Sequence, residues 1–165
     1  CQDNELSWMD WSLADTNRDQ LEFTRKMVKF RKSHPVFRRR RFFEGKPIRS
    51  GDQTRDIAWL TPSGNEMDYQ DWETGLTQCV AVFLNGEAIT APNERGEKVV
   101  DDSFLLCFNA HDEVEDFVVP QGDYAQQWTA DLDTAHPTGC TDVVVAAGEK
   151  ISVQPRSVLV LRKTA

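Results

Sequence analysis

Asp3, Asn4, Glu5, Trp8, Asp10 and Trp11 crowd into the start of the chain. Carboxylates and an amide interleaved with indoles suit one kind of chemistry: stacking the apolar face of a sugar ring while hydrogen-bonding its hydroxyls. The same two Trp residues serve equally as packing anchors for a neighbouring body, because large aromatics are mostly core or interface residues. Other chemistries are poorly served. His34, His111 and His136 share no metal-ligand spacing, so no metal site is expected. No GxSxG elbow and no Gly-rich phosphate loop occurs, and no cofactor is implied. The acidic pairs Asp101-Asp102 and Asp131 with Asp133 read as turn and strand-end residues. No residue of this chain is assigned a catalytic role.

The elements that must position these side chains fall into two parts. Arg18 to Ser33 contains neither Gly nor Pro, is preceded by the capping candidates Thr16 and Asn17, and is followed by Pro35, which predicts a helix. On a helical wheel Phe23, Met27, Phe30 and His34 form one stripe and Leu21 and Val28 lie nearly opposite. Two apolar faces separated by Arg and Lys predict a helix held between two bodies, the alternative being that the smaller face is simply exposed, as scattered surface apolar residues often are. After Pro35 the pattern shifts to short β-type runs: 41–43, 57–60, 79–84, 104–108, 114–119, 128–132, 143–145, 151–153 and 158–161. These predict a mainly β chain, an antiparallel sandwich with 79–84 and 104–108 as central strands and 114–119 at an edge. Residues 61–78 and 87–103 read as long loops, the first pinned by Trp72.

Composition narrows the classes further. A chain of 165 residues, 39% hydrophobic, supports one substantial core. No long apolar run is available to span a membrane and no leader is visible, which together with the scattered Cys1, Cys79, Cys107 and Cys140 leads to the expectation of reduced thiols and a cytoplasmic setting. Of 19 Lys and Arg, nine lie between Arg25 and Arg41 without an acid among them, leaving 10 basic against 27 acidic elsewhere. An otherwise acidic body argues against nucleic acid as a partner, and the basic run is read as a solvated or domain-facing helix end.

The run Cys1-Gln2-Asp3-Asn4-Glu5 with Trp8, Asp10 and Trp11, then Leu21, Phe23, Arg31, His34 and Pro35, resembles the late portion of bacterial glycogen debranching enzymes of the isoamylase type, in the α-amylase superfamily. So do Asp56-Ile57-Ala58-Trp59, Met67 with Asp71-Trp72, Phe83-Leu84-Asn85-Gly86, and Asp101-Asp102-Ser103-Phe104-Leu105-Leu106 before Phe108-Asn109-Ala110. The resemblance implies a glycoside hydrolase with a (β/α)8 barrel that cleaves α-1,6 branch linkages in glycogen with retention, through carboxylates about 5 Å apart that precede Cys1. It implies that residues 1–34 are the last loop and helix of that barrel and residues 35–165 a C-terminal β-sandwich. The partners are then the barrel of the same polypeptide and, through it, α-glucan. Asp3, Asn4, Glu5, Trp8 and Trp11 would border the sugar subsites, since barrel chemistry sits on such loops, and the chain alone is expected to be inactive. Two rival expectations are a glucan-binding sandwich using Tyr69, Trp72 and Trp128, and an interaction domain whose Arg38 to Arg41 recruits an acidic partner.

Overall fold

The computed structural model describes residues 2–47, 55–73, 78–136, 139 and 143–165. Cys1 and Cys140, and with them the thiol expectations placed there, lie outside the described residues; Cys79 and Cys107 are free thiols. Burial pushes the Cys107 thiol up to about 12, so it behaves as a small core hydrophobe.

The chain begins with a short helix α1 (Leu13–Thr16), then α2 (Arg18–Ser33) and a 3-10 turn at Pro35–Arg38. Eight strands follow: β1 (Ile57–Leu60), β2 (Cys79–Leu84), β3 (Phe104–Asn109), β4 (Glu115–Val118), β5 (Gln127–Asp133), β6 (Val144–Ala146), β7 (Lys150–Val153) and β8 (Ser157–Lys163), with α3 (Tyr69–Glu73) between β1 and β2. They make a six-stranded sheet in the order β1-β2-β3-β8-β5-β6 and a two-stranded sheet of β4 and β7. Every pair is antiparallel.

The large sheet is covered on both faces, which is why its inner strands are apolar on both alternations. On one face Phe83, Leu105, Cys107, Trp128 and Leu161 pack with Phe117 and Val153 of the small sheet. On the other, Val82, Leu84, Phe104 and Val160 pack with Val36 and with Met27 and Phe30 of α2. Register keeps each set on its own side, with Phe83 opposite Leu105 and Leu105 opposite Leu161. A bulge between Ala130 and Leu132 shifts the β5 to β8 pairing.

Three sequence expectations are corrected. Residues 41–43 form no strand, because the N–H groups just beyond them, on Glu44 and Gly45, donate to the Asp56 carboxylate rather than to a ladder. Neither Thr16 nor Asn17 makes a side-chain cap to α2; α1 ends one residue before it, and the Asn17 carbonyl accepts the first bond of α2 from the Leu21 N–H. The loop 61–78 contains α3, and α1 is a further addition to the single helix expected. Elsewhere 114–119 appears as β4, outside the main sheet. Trp72 does pin its segment, its ring 5.5 Å from that of Trp59.

Candidate functional site

The junction between α2 and the sandwich is built on Asp101. Its Oδ1 lies 2.9 Å from His34 Nδ1, so the ring N–H donates to it, and its Oδ2 accepts the Val36 N–H at 2.9 Å. The carboxylate thereby satisfies a backbone N–H that the start of the 3-10 turn at Pro35–Arg38 leaves open. Around it Phe30, His34, Phe37 and Phe104 form an aromatic cluster, with Phe30 and Phe104 edge-on at 5.6 Å and His34 and Phe104 at 4.8 Å. Asp101 is brought here by a tight approach: its N–H donates to Gly86 O at 3.1 Å, and any Cβ on Gly86 would run into the carbonyl oxygens of Asp101 and Asp102. At the other end of the stripe, Phe23 reaches Gly139, where an added Cβ would stand 3.1 Å from its ring.

One apolar stripe of α2, Phe23, Met27, Phe30 and His34, thus lies half-buried on the sandwich. No residue of α2 is fully buried, and Val28 on the opposite face is 47% exposed. The segment before it is likewise uncovered, with Leu6, Met9, Trp11 and Leu13 all exposed.

The residues singled out for sugar contact lie on this same exposed segment. The structure joins two of them: Trp8 Nε1 donates to Asp3 Oδ1. Asn4 organises the turn between, its Oδ1 accepting the Leu6 N–H at 3.1 Å and its carbonyl accepting the Ser7 N–H at 2.9 Å. Glu5 and Trp11 are not drawn into that pairing; Trp8 is 61% and Trp11 77% exposed. Asp10 accepts the Ser12 hydroxyl at 2.6 Å and its N–H at 2.9 Å, opening α1. The hydroxyl bond and then the N–H bond hold the Asp10 carboxyl below its ordinary value.

The basic run is divided rather than displayed. Arg39 is buried against Asp56 (Nη1 to Oδ2 3.3 Å), donates to Ala88 O at 3.2 Å and lies 4.1 Å over the Phe43 ring. Arg40 pairs with Glu94 at 3.2 Å on the surface. The reading of Arg38 to Arg41 as one exposed recruiting patch is therefore corrected: its Arg39 is a core cation. Trp128 is corrected likewise as a candidate sugar platform, being 0% exposed in the inter-sheet core, where its Nε1 donates to Pro120 O at 3.4 Å. Tyr69 and Trp72 remain exposed.

Among the described residues, His34, Asp101 and Asp102 are the one group whose possible metal-ligating atoms lie within 4.8 Å of one another. Their donors are already engaged, Asp101 by His34 and Val36 and Asp102 facing Arg162 at 3.9 Å, which suits a structural clamp. Arg162 is itself held by Asp131, whose hydrogen bonds raise the guanidinium pKa further. Among the described residues, no helix is long and apolar enough to cross a membrane.

Sequence reasoning missed Trp59, Phe42 and Glu66. Trp59 stands on the outward alternation of β1, whose pattern places Ala58 and Leu60 inward, but an entirely apolar IAWL run hides that parity.

Comparison with known proteins bears on what this arrangement serves. The family described as isoamylase, C-terminal, matches residues 56–162. A "Glycogen operon protein GlgX homolog" of Mycobacterium tuberculosis (strain ATCC 25618 / H37Rv) is 68% identical over 164 residues, 99% of this chain and 23% of that protein. A glycogen debranching enzyme of Cronobacter sakazakii is 27% identical over 124 residues, 75% of this chain and 15% of its own length. Among solved structures, pullulanase type I from Bacillus subtilis, complexed with maltose, superposes with a TM-score of 0.56 at 14% identity, covering 94% of this chain and 17% of the pullulanase. The chain thus spans about a quarter of the Mycobacterium relative, or 23%.

Proposed function

The chain belongs to the isoamylase C-terminal family, and from that premise we propose that it is the C-terminal part of a glycogen debranching enzyme whose catalytic barrel rests on α2. In this reading residues 1–34 complete the (β/α)8 barrel and residues 35–165 form the supporting β-sandwich. The observation that carries it is the one-sided packing of α2. Its stripe from Phe23 to His34 is held on the sandwich by Asp101 and Phe104, while Val28 opposite stays open. An amphipathic helix needs only one apolar face to bind one body.

The chemistry divides accordingly. Hydrolysis of an α-1,6-glucosidic bond with retention needs a nucleophilic carboxylate and an acid/base carboxylate, and these belong to the barrel. This chain holds the barrel's last helix in place and brings Asp3, Asn4, Glu5, Trp8 and Trp11 to the rim of the sugar subsites. There the Asp3 to Trp8 bond sets one indole for stacking. The reading places the enzyme in the cytoplasm, where its polymer substrate is stored.

Branch hydrolysis tests it. A polypeptide with the length of the Mycobacterium relative is expected to release linear chains from phosphorylase limit dextrin, and the 165-residue chain is expected to release none. Trp11→Ala in the long polypeptide should raise KM more than it lowers kcat, as loss of a binding platform does. Hydrolysis by the 165-residue chain alone, or none by the long polypeptide, would remove the proposal.

A further inference from the structure

A second aromatic surface lies well away in sequence from the N-terminal loop, on β1 and α3. Trp59 and Trp72 meet edge to face, 5.5 Å between centroids at 74°, and both are exposed. With Phe42, Met67, Glu44 and Arg55 they line a groove of about 560 Å³, inside the range of about 300–1,000 Å³ usual for small-ligand sites. Phe42 is the most exposed of its large hydrophobics.

The groove is held rigidly. Met67 N–H donates to Trp59 O at 2.8 Å and a bridge joins Leu60 to Glu66, folding the segment after β1 back along that edge strand. Asp68 accepts the N–H groups of Gln70 and Asp71 at 2.7 and 3.0 Å, and Asp71 returns the bond to the Asp68 N–H at 2.9 Å, fixing α3 and with it Trp72. Glu66 accepts the Tyr124 hydroxyl at 2.8 Å and pairs with Arg55 at 3.6 Å. Burial, then the bond to Glu66, raises the Tyr124 pKa, so the phenol stays a donor.

We propose that this groove binds an α-1,4-linked glucan chain, as a second sugar site separate from the catalytic subsites; the choice of glucan rests on the debranching reading above. Paired indoles locked in place offer stacking faces at little ordering cost. The carboxylates and guanidinium interleaved among them match a ligand that is apolar on its ring faces and hydroxylated around its rim. A protein partner fits less well, because the cores of protein interfaces are depleted in charged residues, whereas here Glu44, Arg55 and Glu66 line the groove itself. Tyr69, exposed on α3, is not part of the lining. Such a site would hold one chain of a branched polymer while another is cut.

Affinity electrophoresis in gels containing glycogen, with calorimetry on maltoheptaose and cellohexaose, tests the site. The intact chain is expected to be retarded and to bind maltoheptaose but not the β-linked oligomer. Trp72→Ala and Trp59→Ala should each weaken binding about tenfold, the loss expected of one stacking platform, with circular dichroism showing the fold retained and the melting temperature lowered only by the loss of one ring contact. Phe42→Ala, at a fully solvated side chain that carries no packing, is the second variant should either Trp change disturb folding, and it too should weaken binding. No binding by the intact chain, or binding untouched by all three substitutions, overturns the proposal. Limit-dextrin hydrolysis by the long polypeptide separates the two readings. Hydrolysis without groove binding leaves the debranching reading standing and sinks the second site; groove binding without hydrolysis does the reverse.

Discussion

Replacing Asp56 with alanine is expected to destabilise the chain by about 3–5 kcal/mol, the range for breaking a buried ion pair by removing one partner. Both side chains are nearly sealed, Arg39 at 5% and Asp56 at 9% exposed. The carboxylate accepts from Arg39, from Glu44 N–H at 2.9 Å and from Gly45 N–H at 2.8 Å. Alanine would leave a buried guanidinium without its counter-ion and two N–H groups without acceptors. The approach of Glu44 and Gly45 to the start of β1 depends on those bonds, so the loss should be felt at that edge of the sheet. Arg40→Ala, which removes only the solvent-exposed pair with Glu94, is expected to change stability by about 0.5 kcal/mol or less. Urea denaturation of the two variants measures the contrast. A cost for Asp56→Ala no greater than that for Arg40→Ala would mean the cluster contributes little.

Trp128→Ala is expected to cost a similar amount, about 3–5 kcal/mol, by opening a large cavity between the sheets. Trp128 is the largest fully buried side chain and packs edge-on to Phe83, ring centroids 6.2 Å apart. Its Nε1 also satisfies the Pro120 carbonyl. Trp128→Phe keeps part of the volume while dropping that bond, and should fall between wild type and alanine. Thermal melts of the three proteins give the order. Equal melting points for alanine and wild type would exclude Trp128 as a core anchor. Glucan binding at the Trp59 and Trp72 groove should survive Trp128→Phe, since Trp128 is closed off from solvent.

Much of this architecture is legible in local pattern. β2, β3 and β8 are apolar on both alternations because one face meets the small sheet and the other meets α2 and the 3-10 turn. The pairing of β4 with β7 in a separate sheet is not legible, since it depends on contacts distant in sequence. Trp128 was inferable as buried: it shares parity with Ala130 and Leu132, with Gln127 and Thr129 on the other alternation. Phe42 and Phe43 look like strand residues, yet Asp56 captures the backbone that follows them, a long-range competition that no local window contains. At the candidate site the Asp3 and Trp8 contact is local and follows from the crowding of those residues. The Trp59 and Trp72 pairing is tertiary, created when the segment after β1 folds back and α3 places its ring beside the edge strand. The Asp101-Asp102 pair reads as a turn in the sequence; the clamp on His34 and Val36 emerges only when the loop from Gly86 brings Asp101 under the end of α2.

The debranching reading turns on whether the open face of α2 is covered by a second body. Val28→Asp addresses that face directly, because Val28 is 47% exposed and a carboxylate there stays solvated in the 165-residue chain, with the cationic Arg25, Arg31 and Lys32 one helical turn away. The chain alone should therefore keep its melting temperature to within the small effect of a surface change, about 0.5 kcal/mol. In a polypeptide with the length of the Mycobacterium relative, the same substitution would bury an unpaired charge, and limit-dextrin hydrolysis should fall together with a lowered first melting transition. Unchanged hydrolysis and unchanged melting in the long polypeptide would contradict a barrel seated on α2.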